Sequence, residues 1–396
     1  MRDVLAHGGL ALAHTAVTHF GPGGQLPAAS DDFDYEYILD WCVAAVCICL
    51  TTRANDGSAI SSKPTAQGGA LALALSTQAV QLRAADSLAV QHEFHAHNNT
   101  IHEVWTSPTE PWKLATCSSD ETVKFWDVRS PLPALVVPTG AEVWSLDVGC
   151  GETLLAAGTD ERALFFDVRS GAKLGEYGEC HVDAITKVRF HPTALAFVVT
   201  ASEDGVVCFF DCRVPDEDEA LESIVNVESA VTTIGFFGPR RENIFCLTGT
   251  ETLDLWNLET AQRIHHFATI RDDCNARGLA TDYLIDGIYD DASDELFVLA
   301  GNHSGDVNVV GVDGAHGQLQ HAATLSGGHK ACVRCVYYDA ARRTLYSGGE
   351  DARLCSWSAA GNAAGSSNAG GMAWSRKTDG RDPAGMKKAR KASRPY

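Results

Sequence analysis

The sequence predicts an all-β fold, a seven-bladed β-propeller, on three observations. Short alternating runs end on an apolar or aromatic anchor at Leu82, Trp126, Phe166, Phe210, Trp256, Val310 and Trp357, spaced 40 to 54 residues apart. Most of these runs follow a tight-turn cluster such as "SSDE", "GTDE", "SEDG", "HSGD" or "GGED". A second apolar run, such as "KLATC", "TLLAAG" or "LFVLAG", stands before the turn. Alternation over five or six residues, rich in β-branched and aromatic types, is a strand signal. Each unit thus holds a hairpin plus a further strand such as "ITKVRF" or "VRCVYY". A period of about 40–45 residues with four short strands is that of a propeller blade.

In chain order, residues 1–31 read as a flexible N-terminal segment, 32–358 as the propeller and 359–396 as a low-complexity linker with a basic, disordered tail. The apolar run "LALAHTAV" is broken by His14 and lacks a charged start, so it does not read as a secretory signal. "DYEYILDW" (Asp34 to Trp41) is the expected strand that closes the ring. "WCVAAVCICL" (Trp41 to Leu50) is half the length of a membrane helix and reads as a buried strand. The polar stretch from Thr52 to Gly69 reads as an exposed insertion.

Composition excludes several classes. Apolar residues make up 45% and charged residues 21%, ordinary for a soluble globular protein. A net charge of -20 argues against nucleic-acid binding by the body of the protein. The stretch from Met372 to Tyr396 is the exception, with eight Lys/Arg against two Asp. Within it, Lys387, Lys388, Arg390 and Lys391 form a nuclear-import candidate, with weak contact to RNA or to an acidic protein, or a merely solubilising tail, as the other readings of such a cluster. Thirteen irregularly spaced Cys read as reduced, mostly buried thiols in a cytoplasmic and/or nuclear protein.

The last unit, "GGHKACVRCVYYDAARRTLYSGGEDARLCSW", resembles the WD-repeat family. It carries His329, Ser347, Asp351 and Trp357 at the spacing of that family's hydrogen-bonded tetrad. The second unit matches with His97, Thr116, Asp120 and Trp126. The fourth keeps His181, Thr200 and Asp204, with Phe210 in place of Trp. The third keeps only Asp160. The resemblance implies a seven-bladed ring and a structural role for these residues. A buried Asp, His and hydroxyl need partners, and one network with the indole N–H supplies them. They are not read as a nucleophilic triad.

No catalytic residue, metal or cofactor is expected. Of the four His in "HEFHAHNNTIH", His97 is committed to a tetrad, and His92 and His95 point to opposite faces of a strand. "CVRC" (Cys332 to Cys335) lies in a predicted strand, which separates its thiols. "PDEDEALE" reads as a solvated loop. The feature left over is Asp-x-Arg after the anchor: Asp127 and Arg129, Asp167 and Arg169, Asp211 and Arg213. In the WD-repeat family, W-D-x-R resembles the pattern by which substrate receptors dock on the adaptor of a cullin-RING ubiquitin ligase, the damage-specific DNA-binding protein. The simpler reading pairs each Arg with its own Asp. Arg129, which alone of the three follows a Trp, is the expected docking residue. The functional expectation is a non-enzymatic protein-interaction scaffold, a monomer within a larger complex and off the membrane. The alternative is a nuclear or nucleolar assembly factor working through the tail.

Overall fold

The computed structural model describes Met1, Leu10–Val17, Cys47–Thr51 and residues 69–359. These residues form seven four-stranded antiparallel sheets. Blade 1 is β2 (Cys47–Thr51), β3 (Ala70–Ala74), β4 (Ala79–Ala84) and β5 (Val90–His95). Blade 2 is β6 (Ile101–Thr106), β7 (Lys113–Ser118), β8 (Thr122–Asp127) and β9 (Pro133–Pro138). Blade 3 is β10 (Ser145–Gly149), β11 (Leu154–Gly158), β12 (Ala163–Asp167) and β13 (Lys173–Tyr177). Blade 4 is β14 (Ile185–Phe190), β15 (Phe197–Ser202), β16 (Val206–Asp211) and β17 (Leu221–Asn226), with helix α1 (Glu217–Ala220) before its last strand. Blade 5 is β18 (Val231–Phe237), β19 (Asn243–Thr248), β20 (Leu253–Asn257) and β21 (Gln262–Phe267), followed by helix α2 (Ile270–Ala276). Blade 6 is β22 (Tyr283–Asp290), β23 (Glu295–Gly301), β24 (Val307–Asp313) and β25 (Gln318–Leu325). Blade 7 is β26 (Val333–Asp339), β27 (Thr344–Gly349) and β28 (Arg353–Ala359), completed by β1 (Leu10–Val17). The first strand of each blade touches the first strand of the next, and β26 touches β2, so the ring closes.

The closing strand differs from expectation. β1 runs antiparallel to β28, from Leu10 opposite Ala359 to Val17 opposite Arg353. The run "LALAHTAV" therefore belongs to the propeller rather than to a flexible leader. His14, which interrupts its apolar pattern, sits at a register shift after Leu12. Such a shift lets a polar residue stay in a strand by re-aiming it. Asp34 to Trp41 lies outside the described residues.

The periodic anchors have a backbone cause. In blades 2 to 6 the third and fourth strands slip register at the anchor itself: Phe125/Trp126, Phe165/Phe166, Phe209/Phe210, Leu255/Trp256 and Val309/Val310. A bulge increases local twist and turns the side chain. Each anchor thereby packs into an apolar core shared with a neighbouring blade. Trp126 packs with Ala72, Val80 and Leu82 of blade 1, and Phe210 with Ala156, Phe165 and Tyr177 of blade 3. Trp357 packs with Phe297, Leu299 and Val309 of blade 6. Burying such a side chain stabilises by about 1.5–3 kcal/mol, so the blades hold one another through these seams.

Candidate partner-binding face

Three hydrogen-bond networks fasten the turns at one end of the strands. His97 Nδ1 lies 2.9 Å from Asp120 Oδ2 and its Nε2 lies 2.6 Å from Thr116 Oγ1. Trp126 Nε1 donates to the same hydroxyl at 2.9 Å. In blade 7, His329 Nδ1 stands 3.1 Å from Asp351 and Nε2 2.8 Å from Ser347, whose hydroxyl accepts from Trp357 at 2.8 Å. Around blade 4, His181 spans Asp204 at 3.4 Å and Thr200 at 2.7 Å, and Phe210 brings no donor. Each Asp also accepts the backbone N–H that follows the His: Asn98, Val182 and Lys330. The network thus ties the turn between the second and third strands to the connection entering the blade.

The protonation of these histidines diverges. Burial holds His97 and His181 below their ordinary value despite the neighbouring carboxylates. For His329 burial also pulls downward, but hydrogen bonds with Asp351 and Cys355 outweigh it and raise the group to about 9.

Asp160 plays another part. It accepts from Trp144 Nε1 at 2.9 Å, because the hydroxyl and indole positions of its blade are Ala156 and Phe166. In blade 5 the hydroxyl position is Cys246, and Trp256 Nε1 has no partner among the described residues.

The Asp-x-Arg turns leave the opposite end of the strands, because each follows the third strand of an antiparallel blade. Arg129 Nε donates to Asp127 Oδ1 at 2.8 Å and Nη2 to Oδ2 at 2.5 Å, and its guanidinium lies 4.6 Å from the Trp112 ring centroid. Arg213 repeats this against Asp211 at 2.9 and 2.5 Å, with Phe197 at 5.7 Å. Their side chains remain 64% and 69% exposed. Arg129 holds the Asp127 carboxyl down at about 2. Arg169 is different. Its backbone N–H donates to Asp167 Oδ1 at 2.7 Å, yet its exposed guanidinium makes no hydrogen bond or ion pair among the described residues. The pairing of Arg with its own Asp therefore holds for two turns of three.

Sequence reasoning missed a charged network on the innermost strands. Glu103 accepts from Ser145 Oγ at 2.6 Å and from the Leu146 N–H at 3.0 Å, and it pairs with Arg189. Ser145 accepts the Val188 N–H at 3.0 Å, and Asp147 the Phe190 N–H at 2.7 Å. Each pair is 43 residues apart, so a side chain of one blade caps the free strand edge of the next. Without such partners the inner edge would hold unpaired backbone donors. Burial drives Glu103 up, but Arg189 and Lys187 outweigh it and hold the carboxyl at about 2. Asp147 and Asp286 are pushed up to about 6 by burial. The signal was present in the sequence as charged residues within the first strands of blades 2, 3, 4 and 6: Glu103, Asp147, Lys187 and Asp286.

The remaining candidates are dispersed. No group of three or more His, Cys, Asp or Glu among the described residues is placed to hold a metal ion. His102 bonds Ser119 at 2.6 Å and Glu142 at 3.2 Å. Cys332 lies 3.2 Å from His303 Nδ1, and Cys335 approaches the Gly348 carbonyl. "PDEDEALE" is more than a solvated loop: Asp216 caps α1, Ala220 is buried, and Glu217 accepts the N–H groups of Gly178, Glu179 and Cys180 at 2.6–3.0 Å. Lys387, Lys388, Arg390 and Lys391 lie outside the described residues.

A family model described as "WD domain, G-beta repeat" matches residues 89–127, 173–211 and 320–358. Those three segments enclose the three His–hydroxyl–Asp networks. The WD repeat-containing protein GTS1 of Arabidopsis thaliana is 32% identical over 314 residues, 73% of this chain and 78% of the relative. The chain belongs to the WD-repeat family. A second WD-repeat relative, the WD repeat-containing protein 89 homolog of Dictyostelium discoideum, is 30% identical over 62% of this chain and 67% of its own length. The GATOR2 complex protein Wdr59 of Drosophila melanogaster is 28% identical over 32% of this chain and 13% of its own length. WD-repeat propellers generally serve as non-enzymatic platforms for protein interaction, and the names of these WD-repeat relatives are not those of enzymes.

Proposed function

We propose that this WD-repeat protein is a substrate receptor of a cullin-RING ubiquitin ligase, docking on the ligase adaptor through the Asp-x-Arg end of the ring. The observation that carries the reading is the placement of Asp-x-Arg at the same strand end in three consecutive blades, 2, 3 and 4. Arg presents five N–H donors, and the side chains of Asp127 and Asp211 each engage only Nε and Nη2 of their arginine. The side chains stay largely exposed on a guanidinium already held in place, which lowers the ordering cost of binding. The Wdr59 relative is named as a complex subunit, in keeping with a propeller that works inside an assembly. The test is binding of the full chain to the purified adaptor. Arg129→Ala combined with Arg169→Ala is expected to weaken binding at least tenfold with an unchanged thermal melt. Unaltered binding by that double variant would sink the reading.

A second reading follows from the basic cluster at Lys387 to Lys391, which is suited to nuclear import in an assembly factor. Deleting residues 387–396 from a fluorescent fusion is expected to move it out of the nucleus. A fusion that stays nuclear refutes this reading.

A further inference from the structure

We infer that Ser130, in the turn between β8 and β9, is a phosphorylation site for a proline-directed protein kinase, and that its phosphate is received by the Arg129 guanidinium in competition with Asp127. The site stands whether or not this face docks on an adaptor.

The chain holds thirteen Pro, and two of them follow a Ser or Thr: Pro108 after Ser107 and Pro131 after Ser130. The structure separates these two steps. Ser107 is 2% exposed, and its hydroxyl donates to Glu152 at 2.7 Å while accepting the N–H groups of Thr109 and Glu110 at 3.2 and 2.8 Å. An enzyme reaches that oxygen only by opening the turn. Ser130 instead lies in a run of four exposed residues, Arg129 to Leu132. Its hydroxyl makes two long bonds, each 3.3 Å, to the carbonyl and the N–H of Leu132. Bonds of that length hold an oxygen weakly. The segment is lightly tied for a further reason. Pro131 and Pro133 bring no N–H, and Pro131 biases Ser130 toward extended backbone, the form in which an enzyme cleft takes a linear segment. The other two Asp-x-Arg turns lack this step: Ser170 is followed by Gly171, and Val214 stands before Pro215.

The kinase supplies a nucleoside triphosphate. The bond between Ser130 Oγ and the γ-phosphorus forms, the bond from that phosphorus to the β-phosphate oxygen breaks, nucleoside diphosphate leaves, and the hydroxyl proton passes to the kinase's own base. The product carries a charge of about −1.5 to −2 and three strong acceptor oxygens. The Ser130 N–H donates to the Asp127 carbonyl at 2.8 Å, which keeps Ser130 on the turn that holds the Asp127–Arg129 pair. The cations at this strand end are Arg129, 64% exposed, and Lys113, which lies opposite Asp127 in the sheet and pairs with Glu110 at 2.8 Å. Arg129 donates from Nε and Nη2 to Asp127, a single charge. A phosphate on the next residue offers the guanidinium up to twice that charge and a bidentate acceptor. The Asp127–Arg129 turn then passes from a neutral pair to a net charge of about −2.

The experiment incubates the purified full-length chain with a purified proline-directed kinase and ATP, and maps phosphate by mass spectrometry. Ser130→Ala and Pro131→Ala stand beside wild type, with thermal melts to check that each folds. Wild type is expected to take phosphate at Ser130 and none at Ser107, Pro131→Ala to be modified at least tenfold more slowly, and Ser130→Ala to take none at that turn. A folded wild type that carries no phosphate at Ser130, or a Pro131→Ala chain modified as fast as wild type, overturns the site. The contact with Arg129 is read separately, by phosphorus-31 NMR titration of the phosphorylated chain. The second ionisation of the phosphate is expected to rise in Arg129→Ala and to fall in Asp127→Asn. Equal values in all three chains overturn the contact and leave the site standing.

Discussion

Trp256 follows Cys246 by ten residues, the spacing that joins Trp126 to Thr116 and Trp357 to Ser347, yet its indole N–H has no acceptor among the described residues. The cause is one atom, a thiol where blades 2, 4 and 7 have a hydroxyl. Asp254, directly opposite Cys246 in the sheet, has an unpartnered Oδ2 as well. Blade 5 thus buries a donor and an acceptor on either side of a residue that joins neither. A hydroxyl there would offer the indole an acceptor and the carboxylate a donor.

Cys246→Ser is therefore expected to stabilise the protein by about 1 kcal/mol, the net worth of a satisfied buried hydrogen bond. The measurement is the denaturation midpoint at neutral pH. A lower midpoint than wild type would show that the hydroxyl reaches neither group.

The tetrads allow a paired comparison. Thr116→Val leaves both His97 Nε2 and Trp126 Nε1 without their shared partner. Thr200→Val leaves only His181, because Phe210 has no N–H. An unsatisfied buried group costs about 1–3 kcal/mol, so the Thr116 substitution is expected to be the more damaging by about one such group. Equal losses in urea denaturation would mean that the indole bond contributes nothing.

Glu103→Ala removes the carboxylate that pairs with Arg189 and caps the Leu146 N–H. Leaving a partly buried charge unpaired costs about 3–5 kcal/mol. Because the Glu103 carboxyl is held at about 2, its contribution is present above the ordinary value of 4.5 and is lost as pH falls through about 2. The stability gap between wild type and variant should therefore narrow from pH 5 toward pH 2. A gap independent of pH across that range would assign the loss to packing instead.

Blade number and seam residues were legible in the chain because they are local. Alternating runs, turn clusters and a repeat of fixed order report the strands directly, and a buried His, Asp and hydroxyl at set spacings admit few arrangements that satisfy all three. The state of each Asp-x-Arg turn was not legible. Arg129, Arg169 and Arg213 sit in near-identical strings, and what separates them is the residue one strand away: Trp112, Thr153 with Leu154, or Phe197.

By itself the sequence determined a seven-fold repeat of four-stranded units and the three His–hydroxyl–Asp networks, two of them completed by a Trp, that fasten their turns, since both are written in short-range spacing. Tertiary structure alone decided that Leu10–Val17 completes blade 7, that Glu103, Ser145 and Asp147 cap the edge of the following blade, and that Arg169 bonds Asp167 through its backbone N–H rather than its guanidinium. The physical reason is common to all three. Each depends on a partner from a different strand, blade or end of the chain, chosen by which edge or charge remained unsatisfied once the sheets had formed.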